Sequence, residues 1–228
     1  MTHPAKEIHT ALWGHEEWLV HTSRILVKKI VANDRLSVQV HPNDMTAKTV
    51  GGNPKTEMWC VLKAGPLFAG VKPGTTAADV ERAVKDGSFE DILVRHETKV
   101  GECYFIPGGL VHAIGEDVCV YEVQQSSNTT YRLYDWGRVG ANGKPRPLHV
   151  DASLKSIDFN LPPPASRADV ACPFFRFRAV EAAGAVEVAA NAETFTALFF
   201  VRERRSVLVP ANCAATIPYN GKVLVTTL

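Results

Sequence analysis

No stretch of about 18 consecutive apolar residues occurs in the sequence, which excludes a membrane-spanning helix of ordinary kind. There is no surplus of charge either. Lys plus Arg number 25 against 24 for Asp plus Glu, so no net field draws the chain to nucleic acid or to an anionic membrane. An anionic ligand must instead meet a few locally placed cations. Cysteine is sparse and odd in number: Cys60, Cys103, Cys119, Cys172 and Cys213, with no C-x-x-C pair. Most sit in strand-like runs, which argues for buried, reduced thiols. The opening residues, MTHPAKEIHTALWGHEEW, lack a continuous apolar run, so no secretory leader is expected and the cytoplasm is the expected location. Histidine is missing after His149, which leaves the C-terminal part without an imidazole for a metal.

What is there reads as short strands separated by turns. Glu17–Val20, Ile25–Val31, Leu36–Val40, Glu57–Leu62, Cys103–Ile106, Val118–Val123 and Tyr131–Tyr134 are rich in β-branched and aromatic residues, and HPND, GGNP, IPGG and GED punctuate them. This pattern predicts an all-β sandwich or barrel, not alternating βα units. One helix is expected between Thr75 and Gly87, capped by Thr75 or Thr76 and ended by Gly87, with a short second one around Ser88–Leu93. The stretch LPPPAS, within Asn160–Ser166, reads as a stiff linker. It separates a first domain, residues 1–159, from a small β subdomain over 167–228. The expected strands of that subdomain are Phe174–Val180, Ala185–Val188, Phe195–Val201, Ser206–Val209 and Lys222–Thr227.

The chemistry concentrates in three segments. LSVQVHPND alternates like a strand, so Ser37, Gln39 and His41 share one face while Val38 and Val40 take the other. KTEMWCVL adds Glu57 at the head of a strand. GECYFIPGGLVHAIG adds His112 behind Gly101, Pro107 and Gly109 in the pattern G-x5-P-x-G-x2-H, which resembles the second cupin motif. Its glycines and proline shape a tight turn that fixes where the following His points. Gly115 stands where that motif usually carries Asn. Gln39, His41, Glu57 and His112 form the candidate ligand set, two imidazoles, a carboxylate and an amide. Such a set suits Zn²⁺, and also Fe²⁺, Co²⁺, Ni²⁺ or Mn²⁺. With one anionic ligand, the site would keep a formal charge near +1 and remain Lewis acidic.

Together LVKKIVANDRLSVQVHPND, KTEMWCVL, VGECYFIPGGLVHAIG and YEVQQSSNTTYRLYDWGR resemble type I phosphomannose isomerase, over about Lys28 to Arg138. The resemblance implies a cupin-type β-barrel (jelly roll) with one zinc ion per chain, held by Gln39, His41, Glu57 and His112. It further implies interconversion of mannose 6-phosphate and fructose 6-phosphate. Arg132 matches the arginine beside the substrate oxygens, and Lys55 a lysine two residues before the ligating glutamate. Lys28, Ser37 and Arg138 match positions near the phosphate or the sugar, and Glu122 an acidic residue projecting into the pocket. The chain is shorter than typical members, reduced at its N-terminus and trimmed in its C-terminal β unit. With those reductions, a related sugar phosphate is the alternative substrate expectation, and a homodimer is among the expected oligomeric states. Two other readings compete. His41, Glu57 and His112 would also serve an iron dioxygenase as a two-His-one-carboxylate triad, and a sugar-phosphate-binding cupin could have lost turnover.

Such an isomerase moves a proton between C2 and C1 through a cis-enediol, and negative charge develops on O1 and O2. Arg132 suits that charge, being permanently cationic with a rigid donor fork; otherwise it is a surface residue pairing with Asp135. Lys55, its pKa lowered beside a divalent cation, and Glu122 compete as proton carrier. Lys28, Arg138 and Lys55 are the expected phosphate cations, whereas Lys29 alternates to the opposite strand face.

Overall fold

Glu57, Trp59 and Val61 alternate with Met58 and Cys60, yet all five are buried. A strand without an exposed face must be covered on both sides, and the computed structural model, which describes residues 7–140 and 143–228, shows by what. The six N-terminal residues, where the leader question and the first domain begin, lie outside the described residues.

The chain opens with β1 (Glu7–Ala11), β2 (Gly14–His21), β3 (Ile25–Ala32) and β4 (Val38–Val40). A one-turn helix α1 (Ala47–Val50) precedes β5 (Glu57–Lys63) and β6 (Pro66–Val71). Helices α2 (Ala77–Asp86) and α3 (Phe89–Ile92) lead to β7 (Leu93–Glu97), β8 (Cys103–Ile106), β9 (His112–Ile114), β10 (Val118–Gln125) and β11 (Tyr131–Tyr134). After α4 (Val150–Ser156) come β12 (Asp169–Ala171), β13 (Arg176–Ala182), β14 (Ala185–Val188) and β15 (Thr196–Phe200). The last elements are β16 (Arg205–Val209), β17 (Ala215–Pro218) and β18 (Gly221–Thr227).

Two antiparallel sheets, ordered β1-β2-β3-β10-β5-β8 and β11-β4-β9-β6-β7, make the jelly roll. The fold is all-β with short helices, as expected. Their facing sides meet in a core of Ile30, Trp59, Val61, Val120, Leu67 and Ile114. The back of the second sheet buries Val38, Val40 and Phe68 against Val80, Ala83 and Phe89 of α2 and α3. Helix α2 starts at Thr76, which forms a capping box with Asp79, and ends at Gly87 in the left-handed region.

The third sheet, β12-β13-β18-β15-β16, covers the back of the first. There Val27, Met58, Cys60, Tyr121 and Val123 pack with Phe175, Phe177, Phe199 and Leu224, and the Tyr121 hydroxyl meets Thr226 Oγ1 at 3.1 Å. Residues on both sides of the LPPPAS segment thus contribute to one apolar cluster. All four tryptophans precede that segment, so their fluorescence reports the barrel alone. Phe199→Ala, a truncation in the C-terminal sheet, is expected to destabilise the barrel by about 3–5 kcal/mol. Chemical denaturation followed by tryptophan fluorescence would reveal it as a lower midpoint, and an unchanged midpoint would mean the two parts unfold independently.

Candidate metal centre and its pocket

Two rows of inward-facing side chains build the site. On the second sheet the register sets Arg132 opposite Gln39, and Gln39 opposite His112. On the first sheet it sets Lys28 opposite Glu122, and Glu122 opposite Trp59, with Glu57 one step along β5 and opposite Gln124. Directly opposed side chains on one face lie about 5 Å apart at Cβ, so residues distant in sequence meet here by strand register alone.

His41, Glu57 and His112 converge, with a ligand atom from each within 4.8 Å of the others. All three are at most 1 % exposed. The turn motifs explain the convergence. Gly109 N donates to His41 O at 2.8 Å, so the IPGG turn is hydrogen-bonded to the HPND turn. A Cβ on Gly108 would lie 2.7 Å from Pro42 O, so the two backbones approach only because Gly108 has none. A Cβ on Gly115 would lie 2.4 Å from Pro66 O, so β6 leaves no room there for the usual Asn.

The donor set fits a divalent cation. His41 Nδ1 donates to Thr129 O at 2.9 Å and His112 Nδ1 to Leu110 O at 2.8 Å. A carbonyl only accepts, so both protons sit on Nδ1 and both Nε2 lone pairs face the cluster, the arrangement of metal-bound imidazoles. Burial, and then the Lys55 ammonium, push the His41 pKa down to about 3, and burial lowers that of His112. Both rings are therefore neutral, as ligation needs. Both Glu57 carboxylate oxygens are buried and turned to the cluster, Oε2 toward His41 and Lys55 and Oε1 toward His112. Burial opposes its ionisation, but Lys55 and the imidazoles outweigh that and hold it well below the usual carboxylate range. The Gln39 amide lies 3.3 Å from His112 Nε2, and turning it over exchanges its nitrogen for the oxygen a metal prefers. These residues would hold one ion.

The pocket beside the cluster is a cavity of about 250 Å³. Ser37, Gln39, Lys28, Lys55, Glu122 and Arg132 all line it. Lys55 Nζ lies 2.9 Å from Glu57 Oε2 and 3.1 Å from His41 Nε2. Lys28 Nζ is buried between Glu16 and Glu122, 2.9 Å from each, and those carboxylates outweigh its desolvation and raise its pKa. Glu122 also accepts from Trp59 Nε1 at 2.9 Å. Burial and then the Glu57 charge raise its pKa against the pull of Lys28. Lys29 points the other way and pairs with Glu17 at 2.8 Å.

The arginines are arranged differently from the sequence expectation. Arg138 is not among the residues lining the pocket. Its guanidinium pairs with Asp34 at 3.1 Å and Asp135 at 2.7 Å. Arg146 lines the cavity instead. Arg132 is no partner of Asp135, which binds Arg138 and Arg146. Its Nη1 donates to Pro147 O at 2.8 Å, and its main chain exchanges hydrogen bonds with His149. Sequence reasoning missed Arg146, Glu16 and Trp18, which also line the pocket; the KPRPLH segment reads only as loop.

In sequence, the chain is 37% identical over 157 residues to a mannose-6-phosphate isomerase of Bacillus subtilis, 64% of this chain and 50% of that protein. It is 34% identical over 163 residues to one of Streptococcus mutans, 70% of this chain and 51% of that protein. Over about two thirds of its own length, the chain is similar in sequence to these mannose-6-phosphate isomerases. It spans about half the length of the curated relatives it matches, and no protein-family model matches it. The crystal structure of a Bacillus subtilis mannose 6-phosphate isomerase superposes with a TM-score of 0.70 at 22% identity, over 90% of this chain and 75% of that one. A putative mannosephosphate isomerase from Archaeoglobus fulgidus gives 0.65 at 20% identity, over 91% and 72%. Those two likenesses carry the cupin fold.

Proposed function

We propose that the protein is a metal-dependent aldose–ketose isomerase that interconverts mannose 6-phosphate and fructose 6-phosphate in the cytoplasm. The observation that carries this reading is the pairing of the buried His41–Glu57–His112 cluster with Arg132, which is in register with Gln39 and lines the adjoining cavity. Gln39, His41, Glu57 and His112 are the ligands, with zinc the preferred ion. When bound, a divalent ion there supplies Lewis acidity toward oxygens of the sugar.

The protein's own groups do the rest. Arg132 donates to the sugar oxygens that become negative in the enediolate. His41 Nε2 cannot serve Lys55 and a metal together, so Lys55 turns its ammonium into the cavity on its flexible stem. There it competes with Glu122 to carry the proton between C2 and C1. Glu122 is buried and its raised pKa allows it to hold a proton, which suits an acid/base group. Ser37 offers a hydroxyl donor to the sugar phosphate, and the indole of Trp59 fixes the Glu122 carboxyl.

The test is a coupled isomerase assay on protein stripped by chelation and then reloaded with zinc, with metal content measured at each stage. Turnover is expected to vanish on stripping and to return at one ion per chain. No conversion of mannose 6-phosphate by the fully loaded protein would overturn the reading. Oxygen consumption by an iron-loaded form would favour the dioxygenase instead.

A further inference from the structure

The pocket's cations are not distributed as the sequence implies. On the β3–β10–β5 side, Lys28 and Lys55 face three carboxylates, Glu16, Glu57 and Glu122. Lys28 is engaged by Glu16 and Glu122, and Lys55 stands beside the ligand cluster at the reacting end, so neither is free to hold a phosphate. Across the cavity, three guanidinium groups, Arg132, Arg138 and Arg146, share two carboxylates, Asp34 and Asp135. Asp34 is half-exposed, so its charge is partly spent on solvent. Apart from the ion's own charge at the ligand cluster, a positive surplus therefore lies on the arginine side.

Two of those arginines line the cavity, Arg132 and Arg146, and Arg138 does not. Arg146 is held by Asp135 through Nε, at 2.7 Å, and one terminal nitrogen, Nη2. That side-on grip fixes the planar group, while the other terminal nitrogen projects from the edge turned away from the carboxylate. Arg132 is fixed as well, by Pro147 and His149. A pair of oriented guanidinium groups in a cavity also lined by Asn128 and Thr130 matches a phosphate monoester dianion.

We infer that Arg146, held by Asp135, is the specificity-determining residue for the phosphate group of the substrate, with Arg132 between it and the reacting carbons. The inference rests on the isomerase reading and deepens it. It moves the phosphate contact from Arg138 to a residue eight positions on, and it gives Asp135 a positioning role. Lys28 then serves to hold Glu16 and Glu122 in place rather than to bind the anion.

The experiment uses the zinc-loaded full chain and two readouts, steady-state kinetics with mannose 6-phosphate and competitive inhibition by inorganic phosphate. Arg146→Gln is expected to raise KM and the phosphate Ki together, each by roughly 10- to 100-fold, the range for loss of a charge-assisted hydrogen bond. kcat should change less. Arg146→Lys should restore part of the loss, and Arg138→Gln should leave both constants near wild type. A merely structural Arg146 would not move the phosphate Ki selectively, so Tm and metal content are measured alongside. If Arg146→Gln keeps wild-type KM and Ki while the parent enzyme is active, Arg146 is not the phosphate residue and the isomerase reading stands. If the zinc-loaded parent neither turns over mannose 6-phosphate nor binds phosphate, both fall.

Discussion

Replacing Arg132 with Ala is expected to lower kcat by about 10²- to 10³-fold, the usual effect of removing one preorganised donor from developing charge, while metal content and fold persist. Several features make this the most informative substitution. Arg132 stands directly opposite Gln39, itself opposite His112, so its side chain starts one strand from the metal cluster. Its backbone is clamped by His149, with His149 N donating to Arg132 O at 2.7 Å and Arg132 N to His149 Nδ1 at 3.1 Å. Its Nε is buried without a hydrogen-bond partner. Burial and the neighbouring Arg146 and Arg138 lower its pKa against the pull of Asp135, yet from such a height that it stays cationic. An unpartnered, desolvated donor gains most when a negative oxygen arrives. KM should therefore move less than kcat, because the contact strengthens only as charge develops. Arg132→Lys should recover little, since an ammonium lacks the planar fork. Wild-type kcat in Arg132→Ala would leave this arginine a structural role only.

Loss of an imidazole ligand should have the largest effect of all. His112→Ala and His41→Ala are each expected to come through purification without stoichiometric metal and with turnover at background, whereas Gln39→Ala weakens binding less, because a neutral amide is the poorest ligand of the set. The reason is spatial. His41 follows β4, Glu57 opens β5 and His112 opens β9, so the ion would join three separate segments and bind only the folded chain. A ligand of that kind stabilises by mass action, and its removal leaves Lys55 as the main compensation for the buried Glu57 charge. Chelation should therefore lower the Tm of the parent protein, and the His112→Ala variant should show no further loss. Metal analysis with thermal melts decides it; one ion per chain retained in His112→Ala would contradict the ligand assignment.

Much of this was legible in the sequence because it is local. Alternation along LSVQVHPND put Gln39 and His41 on one face, and the Gly and Pro spacing of GECYFIPGGLVHAIG located His112 after a turn that admits no Cβ at Gly108. The alternation and the turn spacing depend on backbone geometry within a few residues, which residue type controls directly, whereas the bar to a Cβ at Gly108 comes from the distant Pro42. Helix α2 was equally readable from Thr76 and Gly87. The short elements β1, β6, β7, β9, β12, β17, α1 and α4 were not, since three to seven residues carry too little periodicity, and their positions come from pairing with neighbours.

Tertiary structure alone decided the charges. Nothing local to Lys28 says that Glu16, from β2, and Glu122, from β10, close on it; strand register does that. Nothing local to Arg138 or Arg146 says which faces the cavity. Asp34, on the connection from β3 to β4, draws Arg138 outward, and the loop between β11 and α4 brings Arg146 back over the pocket. Likewise, the double burial of β5 follows from a sheet built by residues more than a hundred positions later. Side-chain direction is set by the residue's own strand, but the partner it meets is set by where distant segments fold back, and at short range the partner fixes what a charge can do.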